Sequence, residues 1–555
     1  MWFLANHKNK IPYFVLPKMT IVTFRYEDMI SLIGGEIEKE ELIEKIPMIG
    51  VGLEKVDGNE ISIEVFPNRP DMFSVEGIAR ALRAFFGIEK GLKKYDAEDA
   101  EVELIVDKSV KGVRPYITGC VIRNVELNDE SIASLMELQE KLHLSIGKGR
   151  KKMAIGVHDF DKVEPPFLYK GVKPREIKFV PLGMEEELSL DEILEKHEKG
   201  IEYAHILAGK ELYPLLVDKN GNVLSFPPII NGQLTAVNYA TKNVFIDVTG
   251  TDENAVNQAL NIVATSLAER GGKIEKVKVI DEREKITPDL TPFKNEVKLD
   301  YVRKIIGIDL DVKNALEKMG HDVVIEEDKA IVYSPAWRTD ILHPVDLIED
   351  AAIGYGYEAI PFTLPKHVTF GSSFEYRKIH DTMLGLGFDE VLTLSLSSKE
   401  KEFQKMELEE KDVVEIANPI SSHHSIVRPS LIPSLLEILS SNRHNDLPQS
   451  IYELGDVVLN GMQKKMLAGV KIAAKTGFTE CKSIVEAILR NFGYKMEVEE
   501  EKNNAFMEGR CASVLAGGEK IGYFGEIKPS VITAFQLEYP VIAFEIDASF
   551  LLSSK

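Results

Sequence analysis

The same succession of apolar and polar positions occurs twice along the chain. In the first copy, a short amphipathic stretch (26–35) ends in Gly-Gly, a second helical pattern follows, and two alternating stretches surround Asp57-Gly58. The second copy has the same order over 301–308 and 312–335. Apolar residues three and four apart indicate helices, and alternation around a tight turn indicates a hairpin. Each copy therefore predicts a small α+β module.

Carboxylates distinguish the second copy from the first. Both copies lead into a further helix through an Arg-x-Asp step, but in the second copy more acidic residues follow, giving the set Asp340, Asp346, Glu349 and Asp350. Residues three and four apart share a helix face, and a cluster of oxygen ligands suits Mg²⁺. Alternatively, acidic residues near a helix N-terminus only complement the helix dipole. The spacing leaves both interpretations open.

A longer region of α/β character lies between the two copies, from Tyr116 to about Val279. Two long helical patterns cover 132–144 and 254–271. Short apolar or alternating stretches predict its strands, at 116–127, 153–160, 205–209, 212–218 and 243–250.

One part of this region is typical of a small-molecule pocket. Residues 226–252 combine Pro-Pro, Asn-Gly and polar side chains between apolar strands, which is how a rigid frame presents a binding site. Asp247 and Thr249 are two apart, so both side chains leave a strand on the same side. Alternatively, Asp247 only caps a neighbouring loop. His158 is interpreted as a hydrogen-bonded structural histidine rather than a catalyst.

The C-terminal part alternates helices and strands. Helical patterns cover 376–386, 433–441 and 479–492, and strands are predicted at 390–396 and 450–459. Mainly antiparallel strands with helices on one face are typical of an α+β domain. Arg428, at the end of a strand, is interpreted as a structural or interface arginine.

Length and composition exclude several classes of protein. A chain of 555 residues is too long for one core and suggests about four domains. No stretch approaches the roughly 18 to 20 apolar residues of a membrane span. Three cysteines without a CxxC pair provide neither a disulfide framework nor a cysteine zinc site, and they point to the cytoplasm. A formal charge of −22 argues against a protein that coats nucleic acid.

Some local features remain. The best basic cluster for RNA is 148–152, with a solvated turn as the alternative. Residues 1–18 lack a signal-peptide core and are interpreted as an N-terminal extension or a misassigned start. No phosphate-binding loop, zinc-protease helix or nucleophile-elbow motif occurs. An autonomous chemistry is therefore not visible from motifs alone.

Three long stretches carry a resemblance to a known family. They are FPNRPDMFSVEGIAR (66–80), WRTDILHPVDLIEDAAIGYGY (337–357) and VRPSLIPSLLEIL (427–439). In these motifs, their order and the length, residues 19–552 resemble the β subunits of phenylalanyl-tRNA synthetases of the short archaeal and eukaryotic-cytosolic type. The resemblance implies an α+β multidomain fold, with two winged-helix-like modules flanking an α/β editing domain and then a class II synthetase-like antiparallel sheet domain without catalytic motifs.

The resemblance also implies domain boundaries. The expected division is an N-terminal extension (1–18), a first winged-helix-like module (19–90), a linker (91–115), an editing domain (116–280), a second module with a Mg²⁺ site (285–362) and a catalytically inactive class II-like domain (370–555).

The implied function is that of one subunit in a cytoplasmic (αβ)₂ heterotetramer that attaches phenylalanine to tRNA(Phe) at the expense of ATP. The ATP-binding motif of class II enzymes is missing after residue 370, so the ligation site is expected on the α subunit. The implied cofactor is Mg²⁺, held by the four carboxylates named above.

The middle domain resembles a module that hydrolyses tRNA mischarged with tyrosine. Asp247 and Thr249 correspond to the pocket wall, and Ser225 and Leu215 are further candidates. No nucleophile is evident, so a water positioned by the pocket and by the terminal ribose of the tRNA is expected to attack the ester. The alternatives are a scaffold whose pocket is idle and a free-standing metal- or nucleic-acid-binding protein.

Overall fold

A computed structural model describes residues 21–365, residue 371 and residues 376–553. The extension expected at 1–18 therefore lies outside the described residues. The chain divides into two compact units, 1–364 and 365–555. Among the described helices, none combines the length and the apolar character that crossing a membrane requires.

The first module is a three-stranded antiparallel sheet with three helices. Its elements are β1 (Ile21–Arg25), α1 (Tyr26–Ile33), α2 (Lys39–Lys45), β2 (Gly52–Asp57), β3 (Glu60–Glu64) and α3 (Val75–Phe85). The central strand is β3, whose alternate residues Ile61 and Ile63 are buried. Ser74 caps α3, because its Oγ accepts a hydrogen bond from the Gly77 N–H at 3.2 Å.

The middle domain is built on a ten-stranded mixed sheet, in which nine strands follow the order β12-β11-β10-β7-β4-β14-β5-β13-β6 and β15 pairs with β14. Its elements are β4 (Ala97–Val106), β5 (Tyr116–Arg123), α4 (Asp129–Leu144), β6 (Met153–Asp159), β7 (Phe167–Val172), β8 (Lys178–Phe179), β9 (Leu188–Ser189), α5 (Leu190–Lys196), α6 (Glu198–Leu207), β10 (Tyr213–Val217), β11 (Val223–Phe226), β12 (Ile230–Asn231), β13 (Val244–Gly250), α7 (Glu253–Glu269), β14 (Lys273–Ile280) and β15 (Glu284–Thr287). The apolar face of α7 packs against β5, β13 and β6.

Two local expectations in this domain differ from the structure. Residues 91–115, expected as a linker, contain β4, which pairs in parallel with β14 and β7. Val102 and Leu104 of β4 are buried, and the glutamates that alternate with them concealed the strand pattern. Residues 205–209, predicted as a strand, include the end of α6, which buries Leu207 at helical spacing from the preceding turns.

The second module repeats the first. Its elements are β16 (Phe293–Lys298), α8 (Leu299–Ile306), α9 (Val312–Lys318), β17 (Asp322–Glu326), β18 (Lys329–Ser334) and α10 (Pro344–Tyr355). The strand order β16-β18-β17 corresponds to β1-β3-β2, and both sheets are antiparallel. The internal repeat predicted from the hydrophobic pattern is therefore confirmed, whereas the winged-helix detail stays a prediction.

The C-terminal unit has a seven-stranded sheet of order β19-β22-β23-β27-β26-β25-β24, antiparallel except for the pair β19-β22. Its elements are α11 (Arg377–Gly385), β19 (Asp389–Glu390), β20 (Leu396–Ser397), β21 (Ile426–Val427), α12 (Ile432–Ser441), β22 (Gln449–Leu459), β23 (Met462–Ile472), α13 (Phe478–Asn491), β24 (Glu497–Glu500), β25 (Phe506–Ala516), β26 (Glu519–Ile527), α14 (Pro529–Ala534), β27 (Val541–Asp547) and α15 (Ala548–Ser553). The coarse prediction of a mixed α+β multidomain chain is confirmed.

Helices cover both faces of this sheet, not one face as expected. Along β23, Ala468 and Val470 belong to the core that contains α12, whereas Leu467 belongs to the core that contains α13. Successive residues of a strand point to opposite faces, so each core lies on its own side.

Candidate functional site

A cavity of about 280 Å³ opens in the middle domain beside β6 and β13. Helix α4 and the segment from β11 to β12 complete its wall. Most lining groups are apolar, and the polar ones include Ser225, Thr235, Asp247 and Thr249. This volume is near the lower end of the range for ligand pockets, about 300 Å³. The cavity therefore has room for a small organic group.

Asp247 and Thr249 lie on β13 and both line this cavity, as their spacing predicted. Asp247 stands opposite Gly119 on β5 and opposite Gly156 on β6. A Cβ at Gly156 would lie 2.1 Å from Asp247 Oδ2. The missing side chain of Gly156 thus leaves the space that the Asp247 carboxylate occupies.

His158, on β6, contacts the carboxylate of Asp247. Its Nε2 lies 2.8 Å from Asp247 Oδ2, and its Nδ1 lies 2.8 Å from Thr235 Oγ1. The imidazole is completely buried and stacks on Phe245, with ring centroids 6.2 Å apart. The expectation of a hydrogen-bonded histidine fits this geometry, but its partner is the site carboxylate, which the sequence did not indicate.

Arg114, which sequence reasoning missed, holds Thr249 from the other side. Its Nε donates to Thr249 Oγ1 at 3.0 Å, and its Nη2 donates to the Thr249 carbonyl at 2.8 Å. Burial lowers the pKa of Arg114 to about 10, which still leaves the guanidinium charged at neutral pH. Because Thr249 Oγ1 accepts from Arg114, its own O–H remains free to donate to a ligand.

The two weaker candidates have different positions. Ser225 lines the cavity, and its buried Oγ has no hydrogen-bond partner among the described residues. Leu215 is fully buried on β10 in a separate apolar core with Phe226 and Ile229, and it does not line the cavity. The structure therefore brings Ser225, Asp247 and Thr249 together and leaves Leu215 outside.

Helix α4 contributes a polar group to the opposite wall. His143 Nε2 accepts from the Ile155 N–H at 2.8 Å, which places the ring proton on Nδ1, 3.5 Å from Glu140 Oε1. Burial lowers the pKa of His143 to about 4, so the ring is neutral at pH 7. The nearby His143 ring and Arg150, whose Nη2 donates to Glu140 Oε1 at 2.7 Å, lower the pKa of Glu140 to about 2.

The basic cluster 148–152 is only partly exposed: Lys148 and Lys151 lie on the surface, whereas Arg150 and Lys152 are engaged by neighbouring residues. Arg150 is buried at the cavity wall, over the Tyr203 ring at 4.4 Å, and donates to the Ile229 carbonyl at 3.0 Å. Lys152 pairs with Asp252 at 2.6 Å. Of this cluster, Arg150 thus supports the cavity wall.

In the second module, Arg338 binds two of the four predicted metal ligands. Its Nε and Nη2 form a bidentate pair with Asp340 at 2.8 and 2.7 Å, and Nη2 also donates to Asp350 at 2.7 Å. His321 Nε2 lies 2.7 Å from Asp350 Oδ2. The charge of Arg338 and the bond to His321 outweigh burial and hold the pKa of Asp350 well below its usual range.

The other two carboxylates have separate surroundings. Asp346 accepts from the Leu342 and His343 N–H groups at 2.8 and 2.7 Å and so caps α10, while Glu349 is exposed. Among the described residues, no group of three His, Cys, Asp or Glu side chains converges to hold a metal ion. The four carboxylates thus do not fit a common Mg²⁺ site in this arrangement, and the assignment stays a prediction.

The first module shows what the Arg-x-Asp step does in both copies. Arg69 forms the same bidentate pair with Asp71, at 2.9 Å for both bonds.

In the C-terminal unit, Arg428 has a structural environment, because it donates to Glu453 at 2.8 Å and to the Asp456 carbonyl at 3.0 Å. These contacts agree with the interpretation of Arg428 as a structural or interface arginine.

Three family models match the chain. They are described as the B3/4 domain (110–283), the tRNA synthetase B5 domain (295–357) and the phenylalanyl tRNA synthetase beta chain CLM domain (360–548).

Curated relatives match along nearly the whole length. A phenylalanine–tRNA ligase beta subunit of Archaeoglobus fulgidus is 44% identical over 542 residues, covering 96% of this chain and 98% of its own. Those of Methanosphaera stadtmanae and Pyrococcus furiosus are 44% and 46% identical and cover 96% and 86% of this chain, and 100% and 89% of their own lengths. A solved N-terminal fragment of the phenylalanyl-tRNA synthetase beta subunit from Pyrococcus horikoshii is 44% identical, with a TM-score of 0.59; the match covers 60% of this chain and 99% of that fragment.

Proposed function

The chain belongs to the family of phenylalanine–tRNA ligase β subunits, and we propose that its middle-domain cavity is the site that hydrolyses tRNA mischarged with tyrosine. A ligation pocket for phenylalanine does not strongly reject a side chain that adds only a hydroxyl, so a second site is needed to clear the product. The observation that carries the proposal is the buried Asp247 carboxylate in the wall of this cavity.

Asp247 is the group that recognises the extra hydroxyl. The hydrogen bond with His158 involves Oδ2, and among the described residues nothing hydrogen-bonds to Oδ1. A phenolic O–H donates to such a carboxylate, whereas a phenyl ring leaves it buried without a partner. The Thr249 O–H supplies a donor two residues away on the same strand face. The pair therefore favours a tyrosyl over a phenylalanyl group.

Hydrolysis itself requires a nucleophile. Ser225 and Thr235 line the cavity. Ser225 Oγ has no partner among the described residues, and the Thr235 hydroxyl, although 2.8 Å from His158 Nδ1, belongs to a residue with no exposed surface. A water that attacks the ester carbonyl is the simpler reagent, with the pocket orienting the aminoacyl group. The 3′-terminal ribose hydroxyl of the tRNA is the natural group to orient this water.

Ligation is assigned to a partner α subunit, in an (αβ)₂ heterotetramer that binds tRNA(Phe) in the cytoplasm. The C-terminal unit offers a surface for such a partner in the 390–396 stretch. This stretch was predicted as one strand, but it forms strand only at its ends, Glu390 in β19 and Leu396 in β20. It instead presents Leu392 and Leu394 with 81% and 68% of their surface exposed, and Ile420 is 90% exposed. Apolar side chains exposed together on a surface mark protein interfaces, and we therefore place the α-subunit contact on this stretch.

Magnesium is the cofactor of the family's ligation reaction. In this chain, Asp340 and Asp350 are both paired with Arg338. Of the four candidate carboxylates, Asp346 and Glu349 are the two without a cationic partner among the described residues. A Mg²⁺ ion that keeps most of its waters needs only one or two carboxylates. These two residues are therefore our proposed ligands.

The editing proposal is tested by deacylation of Tyr-tRNA(Phe) and Phe-tRNA(Phe) by the full chain. Asp247→Ala should slow clearance of Tyr-tRNA at least tenfold, because the acceptor for the phenolic hydroxyl is gone. The exposed carboxylate of Glu126 offers a matched control, and Glu126→Ala should behave as the wild type. Unchanged clearance by Asp247→Ala would show that the assignment is wrong.

A further inference from the structure

The buried His158 is a feature of the cavity that the proposed function does not yet use. No part of the imidazole is exposed, and it lies between the site carboxylate and a wall residue, with Asp247 Oδ2 and Thr235 Oγ1 each 2.8 Å from one ring nitrogen. A buried imidazole needs a hydrogen-bond partner for each of its two nitrogens. Both hydrogen bonds of the His158 ring are made to residues that line the cavity.

We assign the proton of the ring from its hydrogen-bond partners. The Thr235 hydroxyl has one proton, and His158 Nδ1 is its nearest acceptor, at 2.8 Å compared with 3.3 Å for the Gly232 carbonyl. With Nδ1 accepting, Nε2 carries the ring proton and donates to Asp247 Oδ2. The chain Thr235 to His158 to Asp247 therefore runs in one direction and ends at the carboxylate.

Phe245 and Gly156 restrict the positions that the His158 ring and the Asp247 carboxylate can adopt. Phe245 stacks on the ring at an interplanar angle of 29°, and the absent Cβ of Gly156 would lie 2.7 Å from His158 Nε2 and 2.1 Å from Asp247 Oδ2. The hydrogen bond between His158 and Asp247 thus occupies the space that a side chain at Gly156 would need. Any other residue there would force the two groups apart.

We propose that His158 is a positioning residue for tyrosine recognition: its Nε2–H holds Asp247 Oδ2, so that Oδ1 alone is presented to the phenolic hydroxyl of the substrate. This inference rests on the proposed editing function. Without the histidine donor, the buried carboxylate rotates toward other donors, and a rotated carboxylate no longer presents Oδ1 to the phenolic hydroxyl. His158 touches no substrate atom and acts through Asp247.

The test compares two substitutions of unequal chemistry in the full chain, with Tyr-tRNA(Phe) and Phe-tRNA(Phe) as substrates. His158→Leu removes the donor and keeps an apolar volume, whereas His158→Gln keeps an amide N–H near the position of Nε2. We expect His158→Leu to reduce the preference for Tyr-tRNA over Phe-tRNA at least tenfold and His158→Gln to stay within about threefold of the wild type. The loss should appear in kcat rather than KM, because contacts with the body of the tRNA are unchanged.

Each other outcome overturns the inference. If His158 has a purely structural role, His158→Leu should lose activity equally on both substrates and His158→Gln should not restore it. If His158 has no role in recognition, His158→Leu should keep the wild-type preference for Tyr-tRNA. If His158→Leu does not fold, Thr235→Val removes the other hydrogen bond of the ring, and an unchanged preference in that variant overturns the inference as well. An inactive wild type, or an Asp247→Ala variant that clears Tyr-tRNA normally, instead refutes the editing function itself.

Discussion

Gly156→Ala is the sharpest test of the cavity geometry, because it adds one methyl group and removes no functional side chain. The new Cβ would lie 2.1 Å from Asp247 Oδ2 and 2.7 Å from His158 Nε2. An ordinary carbon–oxygen contact is about 3.3 to 3.6 Å. The Asp247 carboxylate must therefore move by about 1 Å or more, and its hydrogen bond with His158 must lengthen or break.

The expected effect on activity is much larger than that on stability. A misplacement of about 1 Å at a positioned group costs on the order of 100-fold in rate. Overpacking by one methyl group in a buried site costs about 1 to 3 kcal/mol of unfolding free energy, and a domain of this size tolerates such a loss. We therefore expect Gly156→Ala to fold and to clear Tyr-tRNA about 100-fold more slowly.

Deacylation of Tyr-tRNA(Phe) by the full chain is the assay, with thermal unfolding measured on the same samples. Gly112→Ala is the matched control, because a Cβ at Gly112 would meet no heavy atom within 4 Å. Phenylalanylation by the complex with the α subunit should be unchanged in both variants. If Gly156→Ala folds and clears Tyr-tRNA within threefold of the wild type, the position of the Asp247 carboxylate does not govern editing.

Three further predictions concern other parts of the chain. Burial raises the pKa of Glu402 from 4.5 to about 7, so its contribution to stability is fully present below pH 4.5 and is lost as the pH rises through 7. Glu402→Gln should therefore raise the unfolding free energy at pH 8 by about 3 kcal/mol and leave it unchanged at pH 4.5. Equal effects at both pH values in denaturant unfolding would contradict this. Millimolar Mg²⁺ should raise the thermal midpoint of the wild type but not that of an Asp346→Asn, Glu349→Gln double variant. Equal shifts in the two proteins would show that Asp346 and Glu349 do not bind the ion. Replacing Leu392 and Leu394 by Asp should prevent copurification of the α subunit from coexpressing cells, and a stable complex would place the interface elsewhere.

Periodicity alone predicted the coarse architecture. The two α+β modules repeat because the same apolar spacing is present twice, and the structure forms the same strand order from each copy. Asp247 and Thr249 also reach one cavity as their spacing on a strand requires. Such features depend on residues close in the chain, so local pattern is sufficient to predict them.

Tertiary structure decided which groups meet. His158 and Arg114 contact Asp247 and Thr249 across 89 and 135 positions of the chain, distances over which local spacing carries no information. The acidic residues of α10 show the same limit. Their spacing correctly places carboxylates on and before one helix, and the Arg338–Asp340 pair is local, but only the fold brings His321 and Arg338 together on Asp350, where a cationic side chain meets the carboxylate that a metal ion was expected to bind.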